Sequence, residues 1–364
     1  YANHTGCGNT LDLSHPFVLR LVLDSMRWWA ERIGIDGFRF DLAPAMTRGA
    51  DGFDPGSGFL GAVLQDPVLR DLKLIAEPWD IGPEGYRPGT FPDPVAEWND
   101  TFRDSVRSFW RGDAGSANRL ADGLLGSARI FDHEGRRPYS SINFVACHDG
   151  FTLADMTMYG AKQNAANGES NRDGHNENLS DDFGVSGPSA DPVIAAQRRQ
   201  RRRNLLATIF LSQGTPMLRA GDEIAQSQGG NNNAYCQDNE TSWIDWESGD
   251  EDLHVFVRRL IRLRASLPVL RQRSFLHGAV PGEGRLPDVE WLGLDGAPVD
   301  WDDPTLAGYA LLLRRSGDMT SGPEPAPVLL ALNAGDAAHA LSLPPEPAGR
   351  WHRLLDTSDP EAGP

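Results

Sequence analysis

Between Ser14 and Leu267 the sequence alternates two kinds of segment. Short, continuously apolar runs are separated by longer stretches with helical periodicity. The apolar runs lie within "IDGFRFDLA" (35–43), "DLKLIAEPWD" (71–80), "VAEWND" (95–100), "SSINFVACHDG" (140–150) and "TPMLRAGDE" (215–223). A strand apolar on both faces must be covered on both faces. Strands of this kind between amphipathic helices therefore predict a parallel sheet with helices outside it. The first helix is predicted to open at Ser14 and Pro16 and to bury a stripe of Val18, Val22, Met26, Trp29 and Ile33, with Gly34 ending it. Further helices are predicted over about 58–64, 101–110, 117–125, 193–212 and 253–267. Residues 160–190, rich in Asn, Gly, Ser and Asp, form a long polar loop, and "SQGGNNNAYCQDNETSW" forms a second.

From about Phe275 the texture changes. "PDVEWLG", "YALLLRR", "PVLLALNA", "HALSLP" and "WHRLLD" are short runs separated by turns, without helices between them. They predict an antiparallel β domain over 275–364 after an α/β domain over 1–274. "SGPEPAP" is too short to be more than a turn. The formal net charge of −17 disfavours nucleic acid and anionic membrane as partners and suits a neutral or a cationic substrate. "RRQRRR" (198–203) is then a solvated helix face. No apolar stretch reaches membrane-spanning length. Three distant cysteines, Cys7, Cys147 and Cys236, are expected to be free thiols in a reducing, cytoplasmic setting. No histidines show metal-ligand spacing, so neither metal nor cofactor is expected.

Asp41, Glu77 and Asp149 fall at the carboxyl ends of three predicted strands. In a (β/α) barrel that end carries the chemistry. Two carboxyls about 5–5.5 Å apart can cleave a glycosidic bond with retention. Arg39 shares a strand face with Asp41 and would favour its charged form. Trp79 beside Glu77 would lower the local polarity and favour a proton donor. Taken singly, each carboxyl is equally well a polar strand end bonded to backbone amides.

"DGFRFDLA", "LIAEPWD" and "NFVACHDG" resemble, in order, three signature segments of the α-amylase superfamily. "TGCGNTLDLSHP", "AEWNDTFRDSVRSFW", "NGESNRDGHNEN", "SQGTPMLRAGDE" and "GNNNAYCQDN" resemble bacterial glycogen debranching enzymes of the isoamylase type, over about Tyr1 to Leu267. The resemblance implies a (β/α)8 TIM barrel followed by an antiparallel β-sandwich. It implies hydrolysis of α-1,6 branch linkages in glycogen or limit dextrins, without cofactor. Asp41 would be the nucleophile, Glu77 the acid/base and Asp149 the third carboxylate. Arg39 and His148 would be polar supports, and Trp79 a sugar contact. The family's earlier signature, an Asp and an Asn-His after the third barrel strand, is not matched by "YANHT". The chain is therefore expected to be a fragment holding about strands four to eight and a shortened sandwich. The alternatives are a superfamily hydrolase acting on α-1,4 links and a non-catalytic glucan-binding fragment. Trp28 and Trp29 are expected to pack against the sheet. Trp79 and Trp98, next to polar strand ends, either stack on sugar rings or pack in the protein, and Asn231, Asn232 and Asn233 are expected either to bind hydroxyls or to turn the chain.

Overall fold

The computed structural model describes residues 1–49, 52–280, 286–316, 325–345 and 349–359. In chain order the first elements are α1 (Pro16–Trp28), β1 (Gly37–Phe40), α2 (Ala43–Met46), β2 (Arg48–Gly49), β3 (Gly52–Phe53), α3 (Gly58–Gln65), β4 (Lys73–Ala76) and β5 (Ala96–Asn99). Then come α4 (Asp100–Arg111), α5 (Ala117–Leu124), α6 (Ala128–Phe131), β6 (Ser141–Asn143), α7 (Leu153–Met156), α8 (Pro192–Leu211) and β7 (Thr215–Pro216). The last are α9 (Glu251–Ser266), β8 (Val289–Leu292), β9 (Gly308–Leu313) and β10 (Val328–Asn333). All five expected parallel-type strands are present, each shorter than its apolar run. The chain divides into two compact units, Tyr1–Asn99 with Ser127–Ile142, and Asp100–Gly126 with Asn143–Pro364.

In the first unit the strands lie in the order β1-β4-β5-β6. β1 and β4 are parallel, with Gly37 opposite Lys73 and Phe40 opposite Ala76. β4 and β5 are parallel too, with Ala76 opposite Glu97. Gly37 is required here, because a Cβ at that position would lie 2.3 Å from the Lys73 carbonyl oxygen. Leu74 and Ala76 pack with Leu23, Met26, Phe59, Leu60 and Val63 of α1 and α3. β1 is only partly buried along its length, unlike the fully covered strand expected, because it is the outer strand of this set. Deep in the same unit Glu97 and Arg136 are paired at 2.5 Å. Glu97 also accepts from the Gly89 and Phe91 amides. Burial pushes the Glu97 carboxyl up, against the pull of Arg136.

The first helix departs from expectation at both ends. Ser14 is held by Asp12, so His15 is the cap and its Nδ1 accepts from the Phe17 amide. After Trp28 the chain continues as a π-turn, Trp29–Ile33, closed by Gly34 at φ +78°. The wider turn shifts the phase of the apolar stripe. Trp28, Trp29 and Ile33 are 51%, 46% and 53% exposed rather than packed inward.

The second unit has its own core, in which Phe102, Val106 and Phe109 of α4 meet Leu206, Ile209 and Phe210 of α8 and Leu260 of α9. Buried cations here are satisfied by backbone carbonyls. Arg107 donates to the Val145 and Asn178 carbonyls. Arg264 donates to the carbonyls of Phe210, Ser212 and Gly214. The "RRQRRR" run is only partly a solvated face: Arg199 and Gln200 are exposed, while the other arginines of the run have protein partners. Arg198 is buried and donates to the Gly187 and Asp182 carbonyls. Arg202 donates to Thr157 and Arg203 to the Thr357 carbonyl. Burial lowers Arg202 to about 10. Guanidiniums suit this task because each offers a fork of donors without needing a counter-charge at every one.

The C-terminal strands form a three-stranded antiparallel sheet in the order β10-β9-β8, with Leu313 of β9 opposite both Val328 and Val289. "HALSLP" and "WHRLLD" are irregular instead of strands. Trp351 bonds the Pro344 carbonyl there and Ser342 bonds Leu294, so side-chain and loop contacts replace a ladder. The first four residues of "SGPEPAP" lie outside the described residues. Cys7, Cys147 and Cys236 are free. Among the described residues no helix is long and apolar enough to cross a membrane.

Candidate active site

In the first unit the chain ends of β1 and β4 are stitched together. The Glu77 amide donates to the Phe40 carbonyl and the Ala43 amide to the Glu77 carbonyl, each at 3.0 Å. Between them Leu42 sits at φ +43°, a left-handed conformation that a branched side chain adopts only under constraint. That turn aims the Leu42 amide at the Glu77 carboxylate, 2.8 Å away. It also leaves the preceding Asp41 carboxylate facing solvent, 69% exposed.

Arg39 lies between the two acids. Its Nη1 donates to Asp41 Oδ1 at 2.6 Å, and its Nη2 is ion-paired with Glu77 Oε2 at 2.9 Å. One guanidinium thus holds an exposed and a buried carboxylate within its own span. Its far face lies over the Trp98 ring, 4.0 Å from the centroid. This decides between the two readings of Trp98: the ring is 8% exposed and serves as a seat for Arg39, not as an open sugar platform. Trp79, two residues after Glu77, is partly buried. The sequence offered no cue to Leu42 or to the Arg39–Trp98 stack, because neither is encoded by local spacing.

In the second unit Asp149 lies six residues past the end of β6, on a loop rather than at a strand end. His148 Nε2 is 3.6 Å from Asp149 Oδ1, and both side chains are about half exposed. The two line a cavity of about 360 Å³ with Arg219, Gln228, Tyr235 and Ile244, among others. Behind it Asp222 is buried, accepts from the Leu153 amide and lies 3.6 Å from Arg219. Burial pushes Asp222 up to about 7, against Arg219 and that amide. Among the described residues no group of His, Cys, Asp and Glu is arranged to hold a metal ion.

No family model matches the chain. It is 43% identical to a glycogen operon protein GlgX homolog of Mycobacterium tuberculosis, over 99% of this chain and 52% of that protein. A glycogen debranching enzyme of Pectobacterium carotovorum is 47% identical over 100% of this chain and 53% of its own length. The crystal structure of apo pullulanase from Paenibacillus barengoltzii superposes with a TM-score of 0.65 at 24% identity, covering 96% of this chain and 48% of that one. Pullulanase from Bacillus acidopullulyticus gives 0.62 at 22% identity, over 86% and 34%. At that identity the likeness establishes fold: a parallel sheet alternating with helices, followed in the sequence by an antiparallel sheet. The chain is therefore similar, along almost its entire length, to proteins named as glycogen debranching enzymes, and it spans about half the length of the curated relatives it matches.

Proposed function

We propose that the chain is the catalytic portion of a hydrolase that cleaves α-1,6 branch linkages in glycogen or limit dextrins, with retention of configuration. The observation that carries this reading is the Arg39 guanidinium held between Asp41 and Glu77 in a chain so similar to glycogen debranching enzymes. Asp41 is exposed, so a substrate can reach it, and Arg39 holds one of its oxygens in place. Its oxygen attacks the anomeric carbon while the bond to the leaving glucosyl oxygen breaks. Glu77, fixed by the Leu42 amide and Arg39, gives that oxygen its proton. Water then attacks the glycosyl ester, Glu77 takes its proton, and Asp41 leaves as carboxylate. Asp149 and His148 are assigned to sugar hydroxyls and Trp79 to a sugar face.

The finer architecture belongs to the same proposal. β1, β4, β5, β6 and β7 would be strands four to eight of a (β/α)8 barrel within residues 1–274, followed by a β-sandwich domain within 275–364. The single recorded neighbour of β1 among the described residues and the greater length of the relatives support it. A branched α-glucan is the substrate, with no cofactor, and the setting is cytoplasmic.

The test is hydrolysis of glycogen phosphorylase limit dextrin by the full-length protein. Linear maltooligosaccharides are expected, released first as the α-anomer by NMR. Release of no reducing ends, or of the β-anomer first, would overturn the reading.

A further inference from the structure

The loop that carries Tyr235 is held more tightly than any turn requires. Asn232 is 1% exposed and uses every polar group it has. Its backbone amide donates to Asn164 Oδ1, and its carbonyl accepts from Gly150, the residue after Asp149. Its side chain donates to the His175 carbonyl and to Asn178 Oδ1, and accepts from Asn164 Nδ2. Asn231 Nδ2 donates to Asn167 Oδ1, and Asn233 Nδ2 donates to Asp173 Oδ2. Asn167 Nδ2 donates to the same Asp173 oxygen at 2.7 Å and to the Asn233 carbonyl. These bonds to Asn167 and Asn233 hold the Asp173 carboxyl below its ordinary value. The three consecutive asparagines thus bind one another's surroundings. That leaves Asn232 no polar group for sugar hydroxyls, and Asn231 is only 2% exposed.

Two residues beyond this lock, Tyr235 is 75% exposed. It lines the same cavity of about 360 Å³ as His148 and Asp149, with Arg219 and the apolar Ile244 also in the lining. A rigid loop presenting a solvated ring at a cavity rimmed by charged groups is suited to a ligand with both apolar C–H faces and hydroxyl edges. A glucosyl ring has that character. Trp243 and Trp246, further along the loop, are 58% and 59% exposed but do not line the cavity.

We propose that Tyr235 is a substrate-binding residue, its ring a stacking platform for one glucosyl unit of the α-glucan chain held beside Asp149, and that the asparagine lock exists to fix its position. The proposal rests on the α-glucan reading above. A lone exposed tyrosine on a mobile loop would pay an ordering cost on binding; the lock removes it in advance.

The experiment is calorimetric titration of the full-length protein with maltohexaose, for wild type, Tyr235→Phe, Tyr235→Ala and Trp246→Ala. Tyr235→Ala is expected to weaken binding about tenfold, the scale of one anchoring contact. Tyr235→Phe keeps the ring and is expected to match wild type, as is Trp246→Ala. Wild-type affinity in Tyr235→Ala overturns the platform. Equal losses in Tyr235→Ala and Tyr235→Phe overturn stacking in favour of the hydroxyl. A wild type that does not bind maltohexaose overturns both this inference and the α-glucan reading. A wild type that binds through Tyr235 yet releases no reducing ends supports the platform and overturns only the hydrolytic reading.

Discussion

Asp41→Ala in the full-length protein is expected to lower turnover on branched α-glucan by at least about 10⁴-fold, the scale seen when a covalent nucleophile is removed. The fold is expected to survive. The Asp41 side chain is 69% exposed and its recorded partner is Arg39. A solvent-screened pair of this kind contributes at most about 1 kcal/mol. The separation of the two effects is the point: a residue that matters to the fold would lose melting temperature along with activity. Reducing-end release and a thermal melt of the same preparation provide the check. Activity within tenfold of wild type, or a trapped glycosyl ester on another residue, would remove Asp41 from the mechanism.

Arg39→Ala is expected to be nearly as damaging, and for a second reason. Loss of a preorganised charge beside reacting groups costs about 10²–10³-fold in rate. Here it also leaves Glu77, 3% exposed, with its cation gone, though the Leu42 amide remains. Taking the cation from a buried carboxylate destabilises by about 1–3 kcal/mol. Arg39→Lys is not a conservative rescue, because a single ammonium cannot span both acids and also lie flat on Trp98. The double variant Arg39→Ala/Glu77→Gln distinguishes the two losses. It removes the buried charge that has lost its guanidinium, so the melting temperature is expected to recover in part while activity stays low. Recovery of both, or full activity in Arg39→Ala, would show that Arg39 does not serve the reaction.

Much of the fold is legible because alternation and helical period are local. The helices over Asp100–Arg111, Pro192–Leu211 and Glu251–Ser266 fall within a few residues of expectation. Glu77 follows β4 directly, as its apolar run suggests. What escapes is whatever depends on distant partners. Arg198 carries a charge and reads as solvated until the Gly187 and Asp182 carbonyls are seen around it. Trp98 reads as a free ring until Arg39 is found on it. Trp29 and Ile33 obey helical spacing, but a π-turn takes them off the apolar stripe. "WHRLLD" has the composition of a strand and no ladder to join. At the site, the resemblance picks out Asp41 and Glu77, whereas the left-handed Leu42 that ties them together leaves no mark in residue type.

The asparagine lock has a consequence measured in time. An asparagine followed by glycine is chemically perishable: the glycine nitrogen can attack the side-chain carbonyl carbon, close a cyclic imide and expel ammonia, and water then opens the ring, leaving an acid where an amide stood. Asn167 is followed by Gly168. In the folded loop that nitrogen is engaged, because the Gly168 amide donates to the Ala165 carbonyl, while the Asn167 amide is clamped at both ends. Conversion would replace a donor to Asp173 with a second negative charge 2.7 Å from it, and the knot that steadies Tyr235 would repel itself apart. The native protein is thus expected to age slowly at Asn167, and a peptide spanning 162–174 many times faster, when both are stored at neutral pH and followed by mass spectrometry. Equal rates would mean that the loop opens too often to protect it. The same bonds that aim the loop would then set its shelf life, with each opening of the knot a chance for damage that refolding does not reverse.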